Sequence, residues 1–223
     1  MYKCFASLLA IALLTISEGI AQQYVPHTFI GGLEFPSVFR SLISGDRNMG
    51  EIQAGVNVAS HMVIFEYGFE NVKHENSSYS FKTKGPFFRT GLDLTLNPEN
   101  QNGNIIFTGF RMAKANYRNS LDFIAQSTAF EDPEVSAKND NLKANWKEWT
   151  FGMKVRLTER IMIGYTMRYK LGPKIKGGDS LRSFDLPGYG RAKKKNNFGL
   201  SYYIHYRLNF RKQDATEEEL INP

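Results

Sequence analysis

The segment 198–210 alternates between apolar and polar side chains over its whole length. Its odd positions are mostly small or polar, and its even positions are all apolar or aromatic: Phe198, Leu200, Tyr202, Ile204, Tyr206, Leu208 and Phe210. Successive side chains of a β-strand point to opposite faces, so the pattern predicts a strand with one apolar and one polar face. Similar alternation recurs in earlier segments, and the sequence therefore predicts an all-β fold of eight strands. The predicted strands are 28–35, 51–59, 62–72, 86–96, 105–117, 145–157, 161–171 and 198–210.

Residues 1–21 are predicted to be a cleaved signal peptide. Lys3 precedes an apolar run at residues 5–16, which has the length of a signal-peptide core and is too short to span a bilayer. Gly19 and Ala21 then occupy the −3 and −1 positions of a cleavage site. Cys4 is the only cysteine of the chain and would leave with the signal, so the mature protein can form no disulfide.

The composition limits the class of protein and its partners. No later apolar run approaches 18 residues, which excludes a helical membrane protein but not a β-barrel, whose strands are only half apolar. The net charge is +6, yet an exported chain is not expected to meet nucleic acid. Basic residues that touch the anionic head groups of outer-membrane lipid or lipopolysaccharide agree better with this charge.

The predicted connections alternate between long and short, as in outer-membrane barrels with short periplasmic turns and long external loops. The loops 118–144 and 172–197 would be external, and both termini would be periplasmic. A soluble lipocalin-like barrel would reverse the faces and place the apolar side chains inside. Charges of both signs on the polar face, aromatics near strand ends and the closing Tyr206-x-Leu208-x-Phe210 favour lipid outside. We therefore predict an eight-stranded antiparallel transmembrane up-and-down β-barrel at residues 22–210 of the bacterial outer membrane, followed by a charged periplasmic tail at 211–223.

The lumen-facing positions predict a packed interior. Strands two to eight each carry a glycine there, which sharp coiling of a small barrel requires, and Phe107 breaks the pattern of its strand by falling on the inner face. The glycines are Gly55, Gly68, Gly91, Gly109, Gly152, Gly164 and Gly199. Eight strands leave an interior just wide enough for side chains. We expect the charges there, including Arg111, to form a network of salt bridges and hydrogen bonds, because unpaired buried charges are very costly.

Ser201 and His205 share the lumen face, and Glu148 could complete a hydrolase triad with them. Residues that face a packed lumen cannot reach lipid, so we predict no enzyme and no catalytic residue. The histidines are scattered and no acidic cluster has calcium-loop spacing, so no cofactor and no metal site is predicted. Two alternatives stay open: a lipid-modifying outer-membrane enzyme and a narrow barrel for small apolar solutes.

Five segments together resemble a family of Bacteroidetes outer-membrane proteins described only as a domain of unknown function. They are Lys84-Gly-Pro-Phe-Phe-Arg-Thr-Gly-Leu-Asp93, Ile105-Ile-Phe-Thr-Gly-Phe-Arg111, Trp146-Lys-Glu-Trp149, Pro187-Gly-Tyr-Gly190 and Asn197-Phe-Gly-Leu-Ser-Tyr-Tyr203. The resemblance covers about residues 50 to 210 and implies a small outer-membrane barrel of that phylum. It also implies a non-enzymatic accessory subunit of an envelope complex, with outer-membrane protein assembly the first choice and type IX secretion the next. Protein partners would be contacted by the long loops or the lipid-facing wall.

Overall fold

The computed structural model describes residues 28–35, 47–58, 61–76, 79–97, 102–124, 134–177 and 181–210, and eight of its strands close into one barrel. The predicted signal peptide (1–21) and tail (211–223) lie outside these residues. The strands are β1 (Thr28–Glu34), β2 (Arg47–Val58), β3 (His61–Asn76), β4 (Tyr79–Thr95), β5 (Ile105–Ile124), β6 (Glu134–Arg156), β7 (Ile161–Lys176), β8 (Asp185–Leu186), β9 (Gly190–Arg191) and β10 (Asn196–Asn209).

All pairings of the barrel are antiparallel, in the order β1-β10-β7-β6-β5-β4-β3-β2. The barrel closes where β1 pairs with β10, from Thr28 opposite Asn209 to Glu34 opposite Tyr203. Strands β8 and β9 form a separate two-stranded sheet within the connection from β7 to β10. The prediction of an eight-stranded antiparallel up-and-down barrel is confirmed. None of the helical structure in the described ranges is long and apolar enough to cross a membrane.

The apolar face of the strands points outward. Leu200 and Ile204 are each 47% exposed, whereas Arg111 is 0% and Arg168 is 1% exposed. The lipocalin-like arrangement, with apolar side chains inside, is therefore wrong for this part of the barrel. We call the outward apolar side chains the apolar band, and we call the end of the barrel with the β3–β4 and β5–β6 connections the upper end. The upper edge of the band is formed by Phe69, Phe88, Met112, Trp149, Tyr169 and Phe198, and its lower edge by Leu96, Leu157, Ile161, Leu208 and Phe210.

The lumen glycines leave room for aromatic rings that point inward. A Cβ at Gly152 would lie 2.6 Å from Cζ of Phe107, and a Cβ at Gly68 would lie 2.2 Å from Cζ of Phe87. Both rings are buried. The inward Phe107, which breaks the alternation in the sequence, is thus accommodated by the glycine directly opposite it on β6.

Several strands extend further than predicted, and the predicted external loop 118–144 is therefore wrong for most of its length. Strand β5 continues to Ile124, β6 already begins at Glu134, and β3 and β4 stay paired up to Asn76 and Tyr79. We call this extended part, above the apolar band, the upper half. Most outward side chains of its strands are polar and many inward ones are apolar, as in a soluble barrel. The alternation with an apolar outer face therefore stops below it.

Candidate functional site

The middle of the lumen is filled by two arginines and the carboxylates that surround them. Arg89 donates from Nη1 to Glu51 Oε2 (2.8 Å) and from Nε to Glu148 Oε1 (3.0 Å). Arg168 donates from Nη2 to Glu51 Oε1 and to Glu66 Oε1, each at 3.2 Å. Since each of these side chains is at most 3% exposed, the attraction between them is screened little by water.

Neutral side chains complete the coordination of these carboxylates. Tyr203 donates from Oη to Glu51 Oε1 at 2.5 Å, and its own oxygen accepts from Nη2 of Arg168 at 2.6 Å. Trp146 donates from Nε1 to Glu148 Oε1 at 2.6 Å. Hydrogen bonds of this kind satisfy lone pairs that burial would otherwise leave without a partner.

A second ionic cluster lies nearer the β4–β5 and β6–β7 turns. Asp93 accepts from Nη2 of Arg111 at 2.5 Å and from Nζ of Lys154 at 3.2 Å. Lys154 also places its Nζ 4.3 Å from the centroid of the Phe107 ring. The two clusters together contain four carboxylates (Glu51, Glu66, Glu148, Asp93) and four cations (Arg89, Arg168, Arg111, Lys154), so their formal charges cancel. The predicted charge network in the lumen is confirmed.

The connection between β7 and β10 enters the upper half of the barrel. We call residues 181–195 the plug. At its tip, Gly188 donates its N–H to Glu70 Oε2 (2.7 Å), and its carbonyl accepts from Arg89 Nη2 (2.9 Å) and from Lys170 Nζ (2.7 Å). Leu186 and Tyr189 are each 1% exposed. The predicted loop 172–197 is shorter than expected, because β7 continues to Lys176, and its segment 185–189 is buried inside the barrel instead of lying outside it.

The inward side chains of the extended strands form the socket of the plug. Tyr189 meets the indole of Trp146 edge to face, with ring centroids 5.7 Å apart. Tyr117 Oη and Ser183 Oγ lie 2.7 Å apart, and Asn139 donates from Nδ2 to the carbonyl of Leu181 at 2.7 Å. Apolar packing and hydrogen bonds along the plug thus hold it against β5 and β6.

A cavity of about 440 Å³ lies beside the plug. Both charged and polar groups line it, including Glu34, Lys170, Asp185, Arg191, Lys194 and Ser201. Beneath it, the side chains of Arg89 and Arg168 occupy the cross-section of the lumen together with their carboxylate partners. This arrangement favours a closed barrel over an open conduit.

The structure gives two members of the hypothetical triad other partners. His205 Nε2 lies 2.9 Å from Gln53 Oε1, and Glu148 accepts from Arg89 and Trp146. Ser201 is buried on the same inner wall. No group of three or more His, Cys, Asp or Glu side chains suited to a metal ion occurs in the described ranges. The absence of catalysis stays a prediction.

Sequence reasoning missed the plug, although Pro187-Gly-Tyr-Gly190 is one of the segments that carry the resemblance. Gly188 has φ +76° and Gly190 φ +104°, values that favour glycine over any residue with a Cβ. A Cβ on Gly188 would also lie 2.6 Å from Cγ of Phe87. Two glycines that flank an aromatic residue in a loop were the available signal of a tight turn pressed against other atoms.

The fold and the lumen define a small, plugged β-barrel with a charged interior. Residues 12–213 match the family model described as "Domain of unknown function (DUF6048)", and the chain therefore belongs to this family. The predicted resemblance to a family of unknown function is confirmed, while a Bacteroidetes origin stays a prediction.

Two solved structures are similar to this chain. Neisserial surface protein A (NspA) is 11% identical with a TM-score of 0.39, covering 83% of this chain and 96% of its own. CarO of Acinetobacter baumannii is 9% identical with a TM-score of 0.41, covering 82% of this chain and 98% of its own. Comparison with curated proteins gives no match. The barrel architecture follows from the strand pairing of the chain itself.

We expect Arg111→Ala to destabilise the barrel by about 3–5 kcal/mol, because it removes a cation that is 0% exposed and pairs with Asp93. The free energy of unfolding in detergent, followed by heat-modifiable gel migration, measures this cost. Arg156→Ala is the control, since Arg156 is exposed at the end of β6 and its replacement should change stability by no more than about 0.5 kcal/mol. Equal stability of the two variants would contradict the network.

We expect Gly188→Ala to release the plug while the barrel stays folded. The new methyl group would meet the Phe87 ring in a backbone conformation that L-residues avoid. Chymotrypsin should then cut after Tyr189, a bond protected in the wild type, and mass spectrometry identifies the cleaved bond. Gly177→Ala is a matched control with φ +81° but no atom closer than 3.5 Å to the added Cβ. The idea fails if Gly188→Ala resists cleavage as the wild type does.

Proposed function

We propose that this protein is an integral outer-membrane β-barrel and a non-enzymatic structural or accessory subunit of an envelope complex. Outer-membrane protein assembly is our first choice for the complex, and type IX secretion is the next. Exported from the cytoplasm by residues 1–21, the barrel would place both termini in the periplasm.

The observation that carries the membrane location is the exposure of the apolar band. Large apolar side chains point outward around the whole barrel, including Phe65, Leu92, Phe110, Phe151, Ile163 and Leu200. Contiguous apolar surface of this extent is rare on soluble monomers, because water solvates it poorly. Aromatic side chains at the upper edge of the band, such as Trp149 and Tyr169, match the interfacial girdles of membrane barrels.

The closed lumen supports a structural role. The ionic clusters and the plug occupy the interior that a conduit would need, and two of the hypothetical triad residues, His205 and Glu148, are hydrogen-bonded to other groups. The surfaces left for function are the outer wall and the upper rim. Contact with other proteins or with lipid is the activity that such surfaces can support.

Single cysteines test the membrane location, because Cys4 would leave with the signal peptide and the mature chain would carry no other thiol. We expect Leu200→Cys to resist a water-soluble maleimide in membrane fragments, where both aqueous faces are open to the reagent. Lys82→Cys, which is also outward but lies above the apolar band, should react. Both should react after unfolding. If Leu200→Cys reacts in the membrane as fast as Lys82→Cys, the location is wrong.

Affinity purification in mild detergent tests the role in a complex. We expect a tag after residue 223 to recover subunits of the outer-membrane protein-assembly machinery, identified by mass spectrometry. An unrelated eight-stranded barrel with the same tag and expression level controls for adventitious capture. Recovery of secretion-system subunits would select the second choice, and recovery of a lone monomer would count against any accessory role.

A further inference from the structure

The outer wall of the upper half carries cations directly opposite one another on neighbouring strands. The three pairs are Lys73 opposite Lys82, Lys84 opposite Arg118, and Lys143 opposite Lys176. Like charges at directly opposed positions of a sheet destabilise it. Among the described residues, the only ion pair that any of these six side chains makes is that of Lys73 with Glu75. Such an arrangement is stabilised when an anion binds between the cations.

One of these pairs lies over a cleft in the wall. The pairing of β4 with β5 runs down to Lys84 opposite Arg118 and resumes only at Phe87 opposite Ala115. Pro86 lies in the gap, where it has no backbone N–H to donate across the sheet. The cleft has a volume of about 310 Å³ and is lined by Phe69, Lys84, Gly85, Pro86, Asn116, Tyr117, Arg118, Asp140 and Asn141.

The cleft spans the boundary between apolar and charged surface. Phe69, at the upper edge of the apolar band, lies opposite Pro86, and Lys84 is the next outward residue above Pro86. The cations therefore lie at the level where lipid head groups meet the aqueous phase. Asp140 is the one carboxylate in the lining, and against Lys84 and Arg118 it leaves a net charge of 2 − 1 = +1. The lining thus combines an apolar floor with a cationic upper wall.

We propose that this cleft binds the phosphate group of an anionic membrane lipid. The phosphate lies between Lys84 and Arg118, whose guanidinium can donate two parallel hydrogen bonds to its oxygens. The acyl chain lies on the apolar surface of Phe69 and Pro86 below. The bound phosphate relieves the repulsion between the two cations, and lipid binding therefore stabilises the pairing of β4 with β5. This inference rests on the proposed membrane location.

The double variant K84Q/R118Q tests the site in vesicles of phosphatidylethanolamine alone and of phosphatidylethanolamine with phosphatidylglycerol. We expect phosphatidylglycerol to raise the thermal unfolding temperature of the wild type, and its binding to the double variant to be roughly 30-fold weaker. In phosphatidylethanolamine alone the variant should be at least as stable as the wild type, since the repulsion is gone. That measurement shows that the variant is folded.

The matched control is K143Q/K176Q, which removes two cations that also lie directly opposite each other. Neither Lys143 nor Lys176 lines the cleft, so this variant should keep most of the stabilisation by phosphatidylglycerol. If both variants lose the stabilisation by phosphatidylglycerol equally, the site is wrong, and the lipid is attracted to the cationic surface in general. Equal stabilisation of the wild type by inorganic phosphate would overturn the role of the lipid chain. A wild type that inserts into neither vesicle would overturn the membrane location as well.

Discussion

The apolar exterior of this barrel depends on opposite charges that neutralise one another inside the lumen. With apolar side chains outside, the charged side chains of the strands beside the apolar band point inward, where they are buried. An isolated buried charge there costs several kcal/mol or more. Arg89 and Arg168 each bridge more than one carboxylate, so no carboxylate of the central cluster depends on a single cation. The lower strands can therefore keep an apolar exterior.

In the upper half, the same strands have a different arrangement of polar and apolar side chains. Above the apolar band many inward positions are apolar or aromatic, as at Phe81, Tyr117 and Leu142, and most outward positions are polar. These inward side chains need a core to pack against, and the plug supplies it with Leu186 and Tyr189. One barrel thus has two kinds of interior, an ionic one beside the apolar band and a hydrophobic one above it.

This change of interior explains what the sequence could predict. Strict alternation identified the strands of the apolar band, the lumen glycines and the charge network, because an apolar exterior and a charged interior give each position one acceptable class of residue. The upper strands keep the same period of two. Because their outward residues are polar, as at Lys143, and only some inward ones are apolar, as at Leu142, their sequence resembles that of an ordinary polar loop. The plug could not be found by periodicity at all, since its place depends on contacts with residues far away in the sequence, such as Glu70.

The plug and the ionic cluster also depend on each other. The carbonyl of Gly188 accepts hydrogen bonds from Arg89 and Lys170, and its N–H donates to Glu70, so the tip of the plug satisfies three charged side chains at once. Withdrawal of the plug would leave those groups short of partners and would expose the apolar socket around Trp146. Opening the barrel would therefore cost both ionic and hydrophobic stabilisation. A lumen built in this way favours permanent closure, which agrees with the proposal that the protein acts through its outer surface.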